Sequence, residues 1–588
     1  MGYIYTVVKR ESAMNYCKTP VIEVPTEQLQ AWRGYDEILS VLGAAIRPLR
    51  EQGRCIVAFE TYPGVDDCEL TEALSALVPS LLVDMRMALC SKEDYRKRIY
   101  PYMTDDRVFG YMYGGDLSDF QDKEQLEQMR RRIMSAAGLV IVYGVGAADL
   151  IQPDILVYAD MARWEIQQRF RRGMPNYHTD NGNEDTLKKF KQGYFLEWRI
   201  ADKIKRTLYD SIDFYLDTNR PADPRMITGD AFRAGLRQAV SGPFRTVPYF
   251  DPGVWGGQWM KEVCGLDRSQ KNFAWSFDGV PEENSIYLQV NGILVESPAI
   301  NVVFYCPVSL LGESVYRRFG AEYPIRFDFL DTMGGQNLSL QVHPITSYIQ
   351  EQFGMQYTQD ESYYILDAKE GAHVYLGVKD ETVPEEMMRD LRSAAEGEIL
   401  FDADKYINQF PAKKHDHFLI PAGTIHCSGS DCMVLEISAT PYIFTMKLWD
   451  WGRLGLDGKP RPIHIDHGEK VIQWDRRTEW VRDNLVNQTY VVSEDADCME
   501  EHTGLHELEF IETRRYTVHT VCTLDTAGTV NMLNLVEGTA AVIESPTGAF
   551  APYEVHYAET FIIPAAVGEY TIRPLDDHPI KLIRAYVR

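Results

Sequence analysis

Residues 338–344, LSLQVHP, form a predicted short strand that carries two metal-binding types of side chain on one face. Side chains at positions i and i+2 of a strand point to the same side, so Gln341 and His343 can both face inward. Glu361 lies in ESYYIL, and His426 closes PAGTIH after a tight turn. Two imidazoles, a carboxylate and an amide oxygen suit zinc or another borderline divalent ion. The sequence predicts one divalent metal inside a small β-barrel, with positions open to water or substrate.

Two further histidines are rival ligands. His415 and His417 lie in KKHDHF, between charged residues. Such neighbours favour a turn at the start of a strand over a buried metal site, and a lone histidine in a β protein is usually structural.

The pattern around these residues is that of an all-β domain. From about residue 285, short apolar runs alternate with turns, which is typical of a sandwich or barrel. Residues 380–409 interrupt this pattern with a helical insertion. IPAGTIH and IPAAVGEY, at 420–426 and 563–570, indicate two related barrels, of which the second lacks the histidine. The predicted strands are SIYLQV, NVVFYC, LSLQV, SYYIL, HVYLGV, HFLIPA and MVLEIS, and then TVHTVCTL, TVNMLNLV, TAAVIES, ETFIIPA, EYTIRPL and IKLIRAYV.

Residues 1–240 have a different character. Buried-looking strands such as RCIVAF and GLVIVYG alternate with amphipathic helices, predicted at 122–137, 161–173 and over most of 185–215. This alternation favours an α/β domain with a mainly parallel sheet. We therefore predict a multidomain protein with an α/β domain at 1–240, a metal-binding β domain at 241–466 and a second β domain at 467–588.

Composition excludes several classes of function. The formal net charge of −26 argues against binding to nucleic acid, which requires basic patches. No run of about 18 apolar residues predicts a transmembrane helix, and we expect no membrane association. Ten scattered cysteines without CxxC pairs suit a reducing compartment, so we expect a cytoplasmic protein. The sequence leaves assembly into a homo-oligomer open.

Several motifs resemble those of a known family. LSLQVHP, ESYYILDAKEGAHVYLGV, FLIPAGTIHCSG and LWDWGR are similar to motifs of the type I mannose-6-phosphate isomerases, which are zinc-dependent cupins. The resemblance covers about residues 248–588 and includes the opening FDPGVWGGQW. It implies two cupin domains, of β-barrel or jelly-roll form, and zinc held by Gln341, His343, Glu361 and His426. It also implies that mannose 6-phosphate and fructose 6-phosphate interconvert through a metal-stabilised enediol.

The same resemblance implies roles for four more residues. Glu436 in VLEIS matches the acid/base, and Ser339 matches a serine that contacts the substrate phosphate. Lys447 is the best match to a family arginine after a one-residue shift, and it keeps the charge without the bidentate fork. Arg453 in DWGR is a phosphate partner or a structural ion pair. Glu436 and Ser339 also fit plainer roles, as a salt-bridged strand carboxylate and an ordinary polar strand residue.

Two positions depart from the family pattern. Asp328 and Gln359 stand where the family has lysines, although Arg326 lies close enough to compensate. A phosphate monoester needs cationic or amide partners, so these changes bear on the sugar substrate more than on the metal. The alternative function is a non-catalytic or weakly active metal- and sugar-binding regulatory protein.

The N-terminal region resembles a degenerate P-loop kinase of the uridine kinase-like branch. RCIVAFETYPGVDDCELTEAL reads as strand, loop and helix, but its loop has only Gly64, followed by Val65, Asp66 and Asp67. A phosphate loop requires GxxxxGK[ST], and here the lysine and hydroxyl are absent. We predict no phosphoryl transfer, with an unconventional sugar kinase as the minor alternative. The helix after DILVYAD carries a cluster of arginines that either binds a phosphate or forms a salt-bridged face: Arg163, Arg169, Arg171 and Arg172.

Overall fold

The protein is multidomain and rich in β-sheet. The computed structural model describes residues 15–25, 30–439, 442, 444–456, 458, 461–504, 506 and 509–588. No helix within these ranges is long and apolar enough to cross a membrane.

The N-terminal region contains a seven-stranded sheet with helices packed against it, as predicted. Five adjacent strands are parallel, and two antiparallel strands extend one edge of this set. The longest strand, Arg54–Thr61, is buried along almost its whole length, which is typical of a parallel sheet covered by helices. In sheet order the strands are Ala31–Arg33, Arg225–Thr228, Phe214–Asp217, Ile155–Asp160, Arg54–Thr61, Gly138–Gly144 and Leu81–Asp84.

The three helical stretches predicted in this region are present. The stretch 185–215 is helical up to residue 211, with one π-helical turn at Gly193–Glu197, and it ends in a strand that starts at Phe214. The α-helices are Tyr35–Glu51, Asp67–Leu74, Lys92–Met103, Lys123–Ser135, Ala147–Leu150, Arg163–Arg171, Thr186–Gln192, Trp198–Leu208 and Gly229–Ala239. Short 3-10 helices are Ser75–Leu77, Met85–Ala88, Leu117–Phe120 and Tyr209–Ser211.

A small sheet crosses the predicted boundary at residue 240. Val21–Glu23 pairs in parallel with Ser285–Val290, which pairs in turn with Ile293–Pro298. The predicted strand NVVFYC is wrong, because this run forms the helix Ile300–Tyr305. The helix buries its apolar side against helix Gly229–Ala239, and a short apolar run of this kind has no periodicity that separates strand from buried helix. Two helices follow, Pro307–Leu311 and Glu313–Phe319.

Two antiparallel sheets form the region that carries the predicted metal ligands. The six-stranded sheet contains, in order, His417–Ile420, Asp360–Ala368, Cys432–Ala439, Arg326–Asp331, Trp275–Gly279 and Tyr249–Asp251. The five-stranded sheet contains Ile407–Pro411, His373–Val378, His426–Ser428, Leu340–Val342 and Met446–Trp449. Helices of this region are Trp259–Val263, Thr346–Phe353, Pro384–Ala395, Ala403–Tyr406, Ile465–Val471 and Thr478–Leu485.

The helical insertion is shorter than predicted. Residues 380–409 include the two helices Pro384–Ala395 and Ala403–Tyr406, but the chain becomes a strand at Ile407. That strand, Ile407–Pro411, pairs with His373–Val378 and forms the edge of the five-stranded sheet. Tertiary pairing thus overrides the local helical pattern at the end of the insertion.

The C-terminal region is a second pair of antiparallel sheets with its own apolar core. The larger sheet contains Tyr490–Glu494, Cys498–His502, Ile511–Val518, Ile580–Val587, Asn531–Glu537 and Thr560–Ile563. The smaller sheet contains Cys522–Asp525, Glu569–Pro574, Ala540–Glu544 and Tyr553–His556, and a 3-10 turn covers Ala565–Val567.

Candidate metal centre and cavity

The two sheets of the middle region bring the four predicted ligands together. In the five-stranded sheet, Gln341 lies directly opposite His426 on one side and Lys447 on the other. In the six-stranded sheet, Glu361 lies opposite Ser438. The strand alternation expected from the sequence therefore turns these side chains toward one another.

Three of the ligands converge tightly on the carboxylate. His343 Nε2 lies 3.1 Å from one oxygen of Glu361, and His426 Nε2 lies 2.8 Å from the other. The candidate ligand atoms of these three residues all lie within 4.8 Å of one another, and the side chains are fully buried. The amide nitrogen of Gln341 is 3.2 Å from His426 Nε2, so a half-turn of the amide would present its oxygen to the same point.

Hydrogen bonds behind the imidazoles support a metal at this point. His343 Nδ1 bonds to the Phe444 carbonyl at 3.0 Å, and His426 Nδ1 bonds to the Thr424 carbonyl at 2.9 Å. A carbonyl can only accept, so Nδ1 carries the proton in each ring and the Nε2 lone pairs point at Glu361. Acceptors facing acceptors repel unless a cation lies between them. Ligand atoms of a tetrahedral zinc are about 3.3 Å apart, close to the separations here.

Without a metal, electrostatics favour a positive charge beside Glu361 in the form of a proton on an imidazole Nε2, and a divalent cation would take the place of that proton. Burial alone would raise the pKa of the Glu361 carboxyl, but His343 and His426 outweigh it and hold the pKa well below its usual range. Burial would lower the pKa of His343, but the Glu361 charge reverses the effect and raises it. The carboxylate is thus ionised and ready to act as a ligand.

The two rival histidines lie outside this cluster. His417 is buried, with its Nδ1 bonded to the Thr503 carbonyl, and His415 bonds to Tyr364 and Glu537. Their contacts join the metal region to the C-terminal region, which is a structural role.

A cavity of about 880 Å³ opens beside the cluster, and Gln341, Glu436, Lys447 and Ser339 line it. Glu436 lies opposite Asp328 on the next strand, and Gln359 Nε2 lies 3.4 Å from its carboxylate and 2.7 Å from that of Glu361. Burial, followed by the charges of Glu361 and Asp328, raises the pKa of Glu436 well above its usual range. Burial also raises the pKa of Asp328 to about 7, which Arg326 opposes.

Several buried polar atoms around the cavity make no hydrogen bond within the described part of the chain. Water-inaccessible groups of this kind normally find a partner, because an unpaired one costs roughly 1–3 kcal/mol. A polar, hydroxyl-rich ligand would satisfy them. They are Asp328 Oδ1, Gln359 Oε1, Ser438 Oγ, Arg461 Nη1 and His464 Nδ1.

The predicted phosphate-binding residues separate into two groups. Ser339 lines the cavity and donates to Asp450 at 2.9 Å. Arg453 instead holds Asp450 and the Asn337 carbonyl and does not line the cavity, which matches the structural ion pair considered for it. Sequence reasoning missed Arg461, which lines the cavity and forms an ion pair with Asp450, with Nε 3.0 Å from the carboxylate.

The loop at Gly64 is filled by protein. Gly64 has φ +110°, and a Cβ there would lie 2.7 Å from an atom of Ile166. Arg169 donates to the carbonyls of Gly64 and Thr218, at 3.1 and 2.8 Å. Arg163 forms a buried pair with Asp202 at 2.6 Å. These two arginines therefore serve the fold.

The other two arginines of the cluster have different surroundings. Arg171 lines the cavity of the metal region and pairs with Asp251 at 2.8 Å. Arg172 is largely exposed and pairs with Glu165. The prediction of a degenerate kinase-like domain stays a prediction.

Part of the chain is similar to curated isomerases. It is 27% identical over 221 residues to mannose-6-phosphate isomerase of Streptococcus mutans serotype c (strain ATCC 700610 / UA159), covering 37% of this chain and 64% of that protein. It is 25% identical over 227 residues to mannose-6-phosphate isomerase ManA of Bacillus subtilis (strain 168). This match covers 38% of this chain and 66% of that protein. The chain thus spans just under two thirds of these relatives.

Two further comparisons concern solved structures and the N-terminal region. The crystal structure of mannose 6-phosphate isomerase from Bacillus subtilis aligns over 59% of this chain and 100% of its own, at 17% identity and a TM-score of 0.49. The structure of a putative mannosephosphate isomerase from Archaeoglobus fulgidus aligns over 59% of this chain and 98% of its own. The sequence identity is 17% and the TM-score is 0.45. Residues 34–241 match a family described as a domain of unknown function (DUF8485).

Proposed function

We propose that this protein is a zinc-dependent aldose–ketose isomerase that interconverts mannose 6-phosphate and fructose 6-phosphate. The observation that carries the proposal is the convergence of two Nε2 lone pairs on one buried carboxylate, at the wall of a polar cavity. The names of the curated relatives give the same reaction. Within the chain we assign the metal site to residues 241–466 and a supporting β domain to 467–588.

The reaction moves a proton between C1 and C2 of the sugar through an enediol. Glu436 is the proposed acid/base: it lines the cavity, and burial raises its pKa well above the usual range of a carboxyl. Gln359 donates to both Glu436 and Glu361 and so fixes the spacing of the two carboxylates. A bound divalent cation would act as a Lewis acid toward charge that develops on the sugar oxygens. Lys447, opposite Gln341, is the proposed cation for the substrate oxyanion or phosphate.

The alternative is a protein that binds metal and sugar without turnover. Asp328 favours it, because a carboxyl stands where the resembled family has a lysine and lies opposite the proposed acid/base. Arg326, two residues earlier on the same strand, lies opposite Ser438 and lines the same cavity. Arg326 thus supplies a positive charge to the part of the cavity wall where the resembled family has a lysine.

A coupled assay separates the two functions. Zinc-loaded protein is incubated with mannose 6-phosphate and the formation of fructose 6-phosphate is followed, with unphosphorylated mannose in parallel. We expect the wild type to turn over mannose 6-phosphate. His343→Ala should lose both the metal and the activity. His415→Ala, the matched control outside the cluster, should retain the metal. No turnover by protein that retains zinc would favour the binding protein.

For residues 1–240 we propose a kinase-like scaffold without phosphoryl transfer. The filled loop at Gly64 and the structural use of Arg163 and Arg169 support it. We expect no ATP hydrolysis with any sugar, and hydrolysis above that of a heat-inactivated sample would overturn this proposal.

A further inference from the structure

The N-terminal region reaches the cavity through the loop that follows helix Lys92–Met103. Tyr442 donates its hydroxyl to the Val108 carbonyl at 3.1 Å. On the other side of Arg107, an oxygen of Asp106 lies 3.7 Å from His464 Nε2. The backbone N–H of His464 in turn donates to the Lys447 carbonyl at 2.8 Å. Arg107 therefore lies between two contacts that dock this loop beside the strand of Lys447.

Two further groups hold this loop in position. Lys191 is buried and donates from Nζ to the carbonyls of Met103 and Asp106. The Arg107 guanidinium pairs with Asp185, with Nε and Nη2 at 2.8 and 2.7 Å from one carboxylate oxygen. These bonds restrict the side chain before any ligand arrives, which lowers the entropy lost on binding.

The end of the cavity that Arg107 reaches is cationic. Arg107, Lys447 and Arg461 all line the cavity. Arg107 pairs with Asp185, and Arg461 pairs with Asp450, which also holds Arg453. Three cationic side chains, one of them from the N-terminal region, therefore line this part of the cavity.

One buried donor among these side chains lacks a partner in the described part of the chain. Arg461 Nη1 is buried and makes no hydrogen bond to any described residue. An anion bound between these side chains would satisfy the donor.

We propose that the N-terminal domain completes the substrate pocket by supplying Arg107, which binds the phosphate group of the sugar together with Lys447 and Arg461. The proposal rests on the proposed function for the identity of the sugar phosphate, but its chemistry requires only a phosphate monoester. It makes the N-terminal domain a determinant of substrate specificity.

Binding measurements on the full-length, zinc-loaded protein test this proposal. Isothermal titration with mannose 6-phosphate is compared for the wild type, Arg107→Met and the matched control Arg172→Met, whose arginine is exposed and outside the cavity. We expect about tenfold to a hundredfold weaker binding in Arg107→Met, the range for a lost charge-assisted hydrogen bond. Affinity in the control, and affinity for unphosphorylated mannose in every variant, should stay within twofold of wild type.

Asp185→Asn distinguishes phosphate binding from a purely structural role. Asparagine can still cap helix Thr186–Gln192 but no longer neutralises Arg107, so mannose 6-phosphate should bind at least as tightly as in the wild type. If the ion pair only stabilises the wall, Arg107→Met and Asp185→Asn should both weaken binding, for mannose as well as for its phosphate. That result, or unchanged affinity in Arg107→Met, would overturn the proposal.

Inorganic phosphate separates this proposal from the isomerase function. If the wild type binds phosphate and Arg107→Met binds it at least tenfold more weakly, the phosphate site stands even when no sugar is turned over. If the wild type binds neither phosphate nor mannose 6-phosphate, the phosphate site is overturned together with the sugar-phosphate function.

Discussion

Glu436 occupies a strand position where three carboxyls meet. Its cross-strand neighbour is Asp328, and Gln359 links it to Glu361. We predict that Glu436→Gln lowers kcat by about 10²- to 10⁴-fold, the usual contribution of a general acid/base, with little change in KM. Steady-state kinetics with mannose 6-phosphate, with zinc content as the control for the site, checks this. Wild-type kcat in the variant would show that another group moves the proton.

Lys447 gives the enzyme a distinct pH dependence. Burial and nearby arginines lower its pKa to about 7, so its charge is present below that pH and is lost as the pH rises through it. The phosphate group, with a second pKa of about 6, stays a dianion in this range. We therefore predict that kcat/KM for mannose 6-phosphate falls above pH 7. In Lys447→Arg, which stays charged, the fall should disappear. The same alkaline fall in both proteins would contradict this role.

At the scale of single elements, helix Arg163–Arg171 is a structural support. Arg163 and Asp202 form a pair that is almost fully buried. We predict that Arg163→Met lowers the free energy of unfolding by about 3–5 kcal/mol, because it leaves the Asp202 charge buried without its main partner. The exposed Arg172→Met should change it by about 0.5 kcal/mol or less. Urea unfolding measures the free energy of unfolding of both variants. Equally small decreases in the two variants would show that the Arg163–Asp202 pair contributes little to stability.

The strands around the metal site could be predicted because their signal is local. Gln341 lies in the strand Leu340–Val342 and His343 directly follows it, and their spacing of two residues predicts a common face for an extended chain. The run NVVFYC carried no such periodicity, and its packing against helix Gly229–Ala239 made it a helix. Likewise Ile407–Pro411 became a strand because His373–Val378 offers it an edge.

Residues that reach the cavity from far along the chain could not be predicted. Arg107 precedes Lys447 by hundreds of residues, and it reaches the cavity because Val108 docks on Tyr442 and Asp106 docks on His464. Arg461 lies in DGKPRPIHID, a segment that resembles the isomerase family, but only its ion pair with Asp450 at the cavity wall points to a role for its side chain. Contacts between domains produce no periodic pattern in a single sequence, so the sequence alone does not predict them.

For the molecule as a whole, the N-terminal region and the metal region behave as one structural unit. Val21–Glu23 adds a strand to Ser285–Val290, and Phe109 packs against Phe353 and Phe444. We predict that residues 241–588 alone unfold at a lower temperature than the full chain and bind mannose 6-phosphate more weakly. Adding residues 1–240 by co-expression should restore both properties. Equal thermal stability and affinity in the fragment would contradict this coupling.

The central claim is that the buried cluster of Gln341, His343, Glu361 and His426 holds a metal that supports proton transfer between C1 and C2 of a sugar phosphate. The most direct test is NMR of mannose 6-phosphate with the zinc-loaded protein in D₂O. We predict that fructose 6-phosphate forms, that solvent deuterium enters at the transferred position in part of the product, and that both signals vanish in His343→Ala. Protein that retains zinc and binds mannose 6-phosphate, yet yields neither product nor deuterium exchange, would contradict the claim.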